Sequence, residues 1–423
     1  MISIELNELN IDWIKHYISN GELKNFKKLF DNYQIIETTS ESRYEELEPW
    51  IQWPSFYSGK SFAEHKCFHI GDFYMNKPRT IYDDFQEKGK SVLAISPMNC
   101  FFNEKSNSFF LPDPWEEFES KNKGFISKVY KSIAKKVNTN AAGSVNIRDY
   151  LLIFFGIIAY ARPKNYLSYL SLASKSLKHK WCQAIFLDLL LSDIFIAEYK
   201  KTNYSYASIF LNAGAHIQHH HLYDSDCYSG ANRNPFSYSS ASKSEVDPIL
   251  EVLKQYDFII KDIINLDSSF LISTGLQQIE NKNPYFQYRF NDFDKFLSIA
   301  GLEIDEITPR MSRDFTIVCN DASYEKNIKI LDSFKIKDQK LFSLDCNDKE
   351  QTIFAKIAWN GEMNAFNEIY FKDEILDLSN LVSLVSIENA IHCSKGWHLN
   401  NFLDIDSPSL NIWDFRNKII STI

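Results

Sequence analysis

Apolar and polar positions alternate over residues 2–6 and run out into Glu5-Leu6-Asn7-Glu8, the pattern of a buried strand that ends in a polar turn. From Ile11 to about Leu29 apolar residues return every three or four positions, which predicts helix, interrupted at Asn20-Gly21. Ile35-Ile36 predicts a short strand and Ser91-Val-Leu-Ala-Ile-Ser96 a longer one of small and branched residues. Between about residues 115 and 204 the period is helical almost throughout. Phe125–Val137 is basic and amphipathic, Asn146–Tyr160 is apolar on most sides, Pro163 suits a first helical turn, and Trp181–Lys201 is long and amphipathic. Strand patterns return at Ala207–Asn212 and Phe270–Ser273, with a helix from about Pro248 to Asn265 between them. Phe315–Cys319, Lys340–Ser343 and Thr352–Ala358 read as further strands, and the tail from Ser394 reads as loop and then helix. Strand–helix alternation of this kind predicts an α/β fold, a three-layer α/β/α sandwich with a mostly parallel sheet and a helical insertion. The expected division is 1–114 and 205–320 for the α/β core, 115–204 for the insertion, and 321–423 for a segment completing the core.

Composition narrows the partners. The chain has 423 residues, 44% hydrophobic and 24% charged, which fits an ordinary globular protein. Its net charge of −9 argues against a nucleic-acid polymer as partner, because phosphate backbones are bound by basic surfaces. The start lacks a basic segment leading into an apolar one, so no signal peptide is expected. The longest apolar run, Leu151–Ala161, is short of the roughly 20 residues that span a bilayer, and reads as a buried helix or a membrane-surface segment. Seven scattered cysteines without a CxxC pair fit reduced thiols and a cytoplasmic location. The apolar helices of 146–201 could also pair with a second copy in a homodimer.

Because sites in such sheets form at the carboxyl ends of strands, Glu5–Glu8, Asn212–His221 and Ser273–Gln278 should share one rim. The densest signal is Ala215-His-Ile-Gln-His-His-His221, where His216, His219 and His220 could hold metal, move protons or contact anions; a solvated polar loop is the plainer reading of each. Glu5 and Glu8 could act as acid or base, bind metal or hold a sugar hydroxyl, with Asn7 beside them; helix N-terminal acids are the alternative. In Glu48-Pro-Trp-Ile-Gln-Trp-Pro-Ser-Phe-Tyr-Ser-Gly59, Trp50 and Gln52 suit a sugar or base face, and Ser55 or Ser58 would need activation to act as nucleophile. His65 follows closely, and Gln277 lies on the third rim segment. Arg310 and Arg313 could clamp a phosphate or carboxylate, or belong to a solvated turn. No phosphate-binding loop, dinucleotide fingerprint or zincin motif occurs.

Taken in order, these stretches resemble the type I phosphodiesterase/nucleotide pyrophosphatase branch of the alkaline phosphatase superfamily. Met1–Glu5 stands where that family has its first strand, and Pro49–His65 where it has its nucleophile segment. Ala215–His219, Ser273–Leu276 and Gly396-Trp-His398 fall at its later motifs. The resemblance covers about residues 1–100 and 205–300 and the tail, and it implies the fold, two metal ions and attack on phosphate or sulfate. The chain departs from the family at most metal-ligand positions, with Glu5 and Ala215 in place of Asp, and Thr274-Gly275 in place of Asp-His. His219 and His398 match ligand positions, so one zinc or manganese ion held by these two with His216 or Glu5 is the metal expectation. The resulting expectation is an enzyme for a phosphorylated or nucleotide-linked sugar, by phosphodiester hydrolysis or by group transfer, in surface glycan biosynthesis. In the metal-free version Glu5 or Glu8 is the acid or base, His219 carries the proton, and Arg310 and Arg313 clamp the anion. The alternative is an inactive relative that binds a glycan or a protein.

Overall fold

The computed structural model describes residues 1–422 apart from 103, 104, 106, 116–123, 139–145, 235–245 and 310–313. Its strands and helices form two compact units, one built on Met1–Val137, Val145–Asn281 and Asn389–Ile423, the other on Lys282–Glu388.

The first unit is organised by an eight-stranded sheet. In chain order its strands are β1 (Ile2–Leu6), β2 (Ile35–Thr39), β3 (Val92–Ile95), β4 (Phe109–Leu111), β5 (Tyr206–Leu211), β6 (Phe270–Ser273), and the late strands Lys395–Asn400 and Ser409–Asn411. Spatially the order is Ser409–Asn411, β2, Lys395–Asn400, β6, β1, β5, β3, β4. Every neighbouring pair is parallel except that Lys395–Asn400 runs antiparallel to both β2 and β6. β1 lies between β5 and β6 and is wholly buried, as its run of Ile2, Ile4 and Leu6 requires.

Helices cover both faces, giving three layers. Alternation along the strands sends Ile4, Leu6, Ile209, Ile272 and Trp397 to one face, where helices α1 (Ile11–Ser19), α2 (Lys24–Asn32), α10 (Cys182–Lys201) and α12 (Pro248–Ile264) pack. It sends Ala94, Tyr206, Phe210 and Leu271 to the other, against α3 (Pro49–Ser58), α6 (Ile81–Glu87) and the C-terminal helix Phe415–Ile420. The short helices α4 (Phe62–His65) and α5 (Asp72–Asn76) link α3 to α6.

Between β4 and β5 the chain runs through α7 (Phe125–Asn138), α8 (Ile147–Tyr160), α9 (Tyr166–Ser176) and α10. Asn146 caps α8 by accepting from Asp149 N–H, with the Asp149 side chain returning the bond. The corner between α8 and α9 is fixed by Asp193 of α10, whose buried carboxylate accepts from Arg162 N–H at 3.0 Å, Arg162 Nε at 2.5 Å, Asn165 Nδ2 at 2.8 Å and the Tyr169 hydroxyl at 3.0 Å. Gly156 lets α8 approach α7 closely, since a Cβ there would lie 2.5 Å from Val129 Cγ1. Helix α11 (Ala213–His221) follows β5 directly, and β7 (Gln277–Glu280) pairs antiparallel with the strand Ala390–Cys393.

The second unit has its own aromatic core. Phe342–Asn347, Thr352–Ile357, Asp314–Val318 and Glu306–Pro309 form an antiparallel sheet in that order. Phe290, Phe296, Phe315, Phe334 and Phe342 pack within it, with Phe290 and Phe296 stacked at 4.1 Å. From Asn389 the chain belongs to the first unit again, and Lys395–Asn400 enters the large sheet as a strand where the sequence pattern read loop. Gly396 allows this, because a Cβ there would lie 2.6 Å from the Gly275 carbonyl and 2.6 Å from Thr38 Oγ1.

Candidate metal centre

Past the carboxyl end of β1 the chain turns sharply, and Glu8 adopts a left-handed backbone conformation with φ 59°. That conformation is unfavourable for a residue with a Cβ and is held by its surroundings. Glu8 N–H donates to the Thr274 carbonyl at 3.1 Å, and the Glu8 carbonyl accepts from Gln278 N–H at 3.1 Å and Gln218 Nε2 at 2.9 Å. The segments after β1, β5 and β6 therefore meet here, which is the geometry of a site at the carboxyl end of a parallel sheet.

Three side chains converge at this point. His219 Nε2 lies 3.1 Å from Glu8 Oε2, His392 Nε2 lies 3.2 Å from the same oxygen, and the two ring nitrogens are 3.1 Å apart. Glu8 also accepts from Asn7 Nδ2 at 3.0 Å and from Gln278 Nε2. Burial alone would raise the Glu8 carboxyl, but the charge and hydrogen bonding of His392 and His219 outweigh it and hold the group well below the ordinary carboxylate range.

The outer nitrogens fix what the inner ones offer. His219 Nδ1 is 2.8 Å from the Ala390 carbonyl, which can only accept, so Nδ1 carries the hydrogen and a neutral ring presents a bare electron pair at Nε2. His392 turns Nδ1 toward Glu48 Oε2 at 3.6 Å and Nε2 toward Glu8. While protonated at Nε2 the two rings meet Glu8 as donors; with Nε2 deprotonated, the two imidazole nitrogens and the carboxylate oxygen would form a triangle of electron-pair donors suited to a cation at its centre. The sides of the triangle match a metal site, because ligands about 2.0–2.1 Å from a tetrahedral zinc stand roughly 3.3 Å from one another. A ligand histidine that gives its second N–H to a carbonyl or carboxylate is the usual outer support of such a site. The Gln278 amide oxygen is buried there without a hydrogen-bond partner. Glu8, His219 and His392 form the one such group of His, Cys, Asp and Glu among the described residues. His219 keeps 21% of its side chain exposed and Glu48 32%, so the centre opens on that side.

The sheet separates the residues that sequence reasoning had grouped. Glu5 points away from Ile4 and Leu6, into the aromatic layer under α3, fully buried, where it accepts from the Tyr57 hydroxyl at 2.6 Å and Ser3 Oγ at 3.3 Å. Burial, against the pull of those two bonds, pushes its carboxyl up to about 8. His398 lies between Trp397 and Leu399 of its strand and so faces opposite to both, stacking on Phe415 at 4.2 Å. Its Nε2 is met by Asn400 Nδ2 at 3.3 Å, its Nδ1 is buried without a partner, and burial brings its pKa down to about 3. Strand alternation therefore puts Glu5 and His398 on the face away from α11, and a centre of His219 with His398 and Glu5 does not form. Glu8 and His392 take those places.

Asn7 joins the centre through Glu8 and is held by Trp53 Nε1 at 2.8 Å. His216 and His220 stack edge-on at 5.0 Å on α11, and His220 stands 6.0 Å from His219. Gln277 accepts from Ile11 N–H at 3.3 Å, beside the centre in sequence but bonded to α1. Trp50 donates to the Phe68 carbonyl at 3.1 Å and Gln52 to the Glu46 carbonyl at 2.7 Å, the latter fully buried. His65 is buried, accepting from Cys67 N–H at Nδ1, 3.0 Å, so its proton sits on Nε2 and points at Ser55 Oγ, 3.0 Å away. Such a ring cannot take a proton from Ser55, and burial lowers its pKa to about 4. Ser58 bonds the Pro54 carbonyl inside α3. Arg310 and Arg313 lie outside the described residues. His392, Glu48 and Gln278 were missed; the only sequence signal for His392 was a histidine six residues before His398.

The positions at which the family places its two metal ions do not fit them here: Glu5 is enclosed by tyrosines, and Thr274 bonds the Trp397 backbone through Oγ1. No protein-family model matches the chain, and no curated protein does. Among solved structures, the chain is similar to phosphonoacetate hydrolase from Sinorhizobium meliloti 1021 in complex with phosphonoformate, at 9% identity and TM-score 0.41, covering 99% of this chain and 94% of that one. It is also similar to wild type alkaline phosphatase PafA, at 8% identity and TM-score 0.41, covering 98% and 94%.

Proposed function

We propose that the chain is a metal-dependent hydrolase of a phosphorylated or nucleotide-linked sugar, with one divalent cation held by Glu8, His219 and His392. The observation that carries this reading is the triangle of donor atoms 3.1–3.2 Å apart, with the outer nitrogen of His219 already committed to a carbonyl. Two imidazoles and a carboxylate suit zinc, with manganese the second choice. A cation there supplies Lewis acidity toward a phosphoryl oxygen and acidifies a bound water.

The chain's own residues do the rest. Glu8 is oriented by Asn7 and Gln278. The Ala390 carbonyl holds the His219 ring with its hydrogen on Nδ1, and Glu48 stands 3.6 Å from His392 Nδ1. In this reading His220, whose ring lies 6.0 Å from that of His219, meets a phosphoryl oxygen, and Trp50 offers its ring to a sugar. A cytoplasmic setting agrees with seven cysteines that form no disulfide. Group transfer to a sugar acceptor uses the same centre, and surface glycan assembly is the setting in which we place it.

The test is elemental analysis of the purified protein beside Glu8→Gln and His392→Ala, followed by turnover of sugar phosphate esters and diesters. About one equivalent of metal in the parent, lost in both variants together with turnover, is expected. A metal-free parent would overturn the reading. Ser55 and Ser58 are both spent on bonds within α3 and the turn after it, which favours a second reading, a glycan- or protein-binding subunit without turnover. Metal bound at full occupancy with no hydrolysis of any ester, and retention on a glycan array, would select it.

A further inference from the structure

Helices α8 and α9 turn a broad apolar face outward. Both rest on α10 through their inner sides, α8 through Ile153 and Ile157 and α9 through Tyr169 and Leu172. The outer side of α8 carries Ile147, Leu151, Phe154, Phe155 and Ile158, each half exposed or more, with Ile147 at 80%. On α9, Leu167 is 80% exposed and Leu170 68%, and Leu177 just beyond it is 89% exposed. A water-soluble surface rarely gathers this many large apolar side chains without an interaction to make.

From Gly124 to Trp181 the sequence has ten Lys and Arg residues against one acid, Asp149, in a chain whose net charge is −9. Four of them are paired with acids, Lys135 with Asp149, Arg162 with Asp193 and Asp262, Lys164 with Asp262 and Lys175 with Glu251, so the positive charge of the face rests on the others. Lys128 on α7, Arg148 at the start of α8, and Lys178 and Lys180 after α9 are exposed. Asp149 is itself turned inward, bonded to Lys135 at 2.7 Å and Ser132 at 3.2 Å. No helix among the described residues is long and apolar enough to cross a membrane.

We infer that α8 and α9 seat this protein on an anionic phospholipid surface, with their outer Leu, Ile and Phe side chains entering the headgroup boundary and the surrounding Lys and Arg meeting lipid phosphates. A basic helical surface with an aromatic and aliphatic face is the composition of an interfacial anchor. A second copy fits less well, because pairing this face with itself would bring two cationic surfaces together. Nucleic acid fits less well too, since large Leu, Ile and Phe side chains, rather than polar ones, lie exposed on these helices. The inference is independent of the metal centre: it rests on other helices and is read by binding alone.

The experiment is sedimentation of the full chain with phosphatidylcholine vesicles, with and without about 30 mol % phosphatidylglycerol, at low and high salt. Binding to the anionic vesicles that weakens with salt is expected. Phe154→Glu combined with Leu167→Glu should abolish it, and Lys128→Glu with Arg148→Glu should weaken it by roughly fivefold or more per charge removed. All four side chains are exposed, so melting temperature and circular dichroism should stay as in the parent. Failure to sediment with anionic vesicles would overturn the inference. So would a parent that is a dimer in solution and becomes a monomer in the Phe154→Glu, Leu167→Glu protein, since the face would then be covered by a second copy.

Discussion

Two glutamates three positions apart have opposite electrostatic fates. Glu8, at the turn, is drawn into ionisation by two imidazoles, whereas Glu5, within the strand, is enclosed by Tyr57, Tyr82 and Tyr206. With its folded pKa raised to about 8, Glu5 is protonated in the native state at neutral pH while an unfolded Glu ionises near 4.3. The native state then binds the extra proton, so this group's contribution to stability is fully present below pH ~4.3 and is lost as pH rises through about 8. Glu5→Gln should therefore melt higher than the parent at pH 8, by a few kcal/mol at about 1.4 kcal/mol per pH unit, with the gap closing toward pH 5. Equal melting temperatures across that range would show Glu5 to be ionised where it lies. At the same scale, a Cβ at Gly396 meets a backbone carbonyl and cannot be accommodated by a side-chain rotation. Gly396→Ala is expected to cost roughly 1–3 kcal/mol in thermal or urea unfolding, by forcing its strand away from β6.

Among the elements, the corner between α8 and α9 depends on one buried anion. Asp193 accepts four bonds, so Asp193→Ala leaves Asn165 and Tyr169 without their acceptor and Arg162 paired with Asp262 alone. A loss of about 2–4 kcal/mol is expected, together with faster amide exchange in α8 and α9. Exchange unchanged in those helices would mean that packing on α10 alone holds them. Helix α11 illustrates how element boundaries shape a site. It begins where β5 ends, which places His219 in its second turn, opposite the turn that presents Glu8.

Over the whole molecule, the two compact units have separate aromatic and aliphatic cores. Phe296 is fully buried in the core of Lys282–Glu388 and stacks on Phe290. Phe296→Ala should lower the unfolding transition of that unit by about 3–5 kcal/mol while the metal content expected of the proposed centre stays as in the parent. Loss of metal in that variant would show the two cores to unfold as one. At this scale too, a chain that is acidic overall carries a basic helical region, so its average charge says little about what each surface meets.

The sequence by itself determined the elements with strong periods. Residues 2–6, 91–96 and 270–273 read as strands, and 248–265 as a helix, because each has an unbroken apolar pattern bounded by polar or turn residues. It also offered His219 and Glu8 as candidates, since sites in such sheets form past the carboxyl ends of strands. It did not show Lys395–Asn400 as a sheet strand or Ala390–Cys393 as the strand carrying His392, for those segments mix Gly, His, Lys and Asn without a clean period. Only tertiary structure decided which histidine joins His219. His392 and His398 are six residues apart, but pairing with β7 brings the first to Glu8, while the alternation of its own strand turns the second to the opposite face of the sheet. Facing direction in a strand depends on register with its neighbours, and register is set by long-range pairing that a linear pattern does not contain.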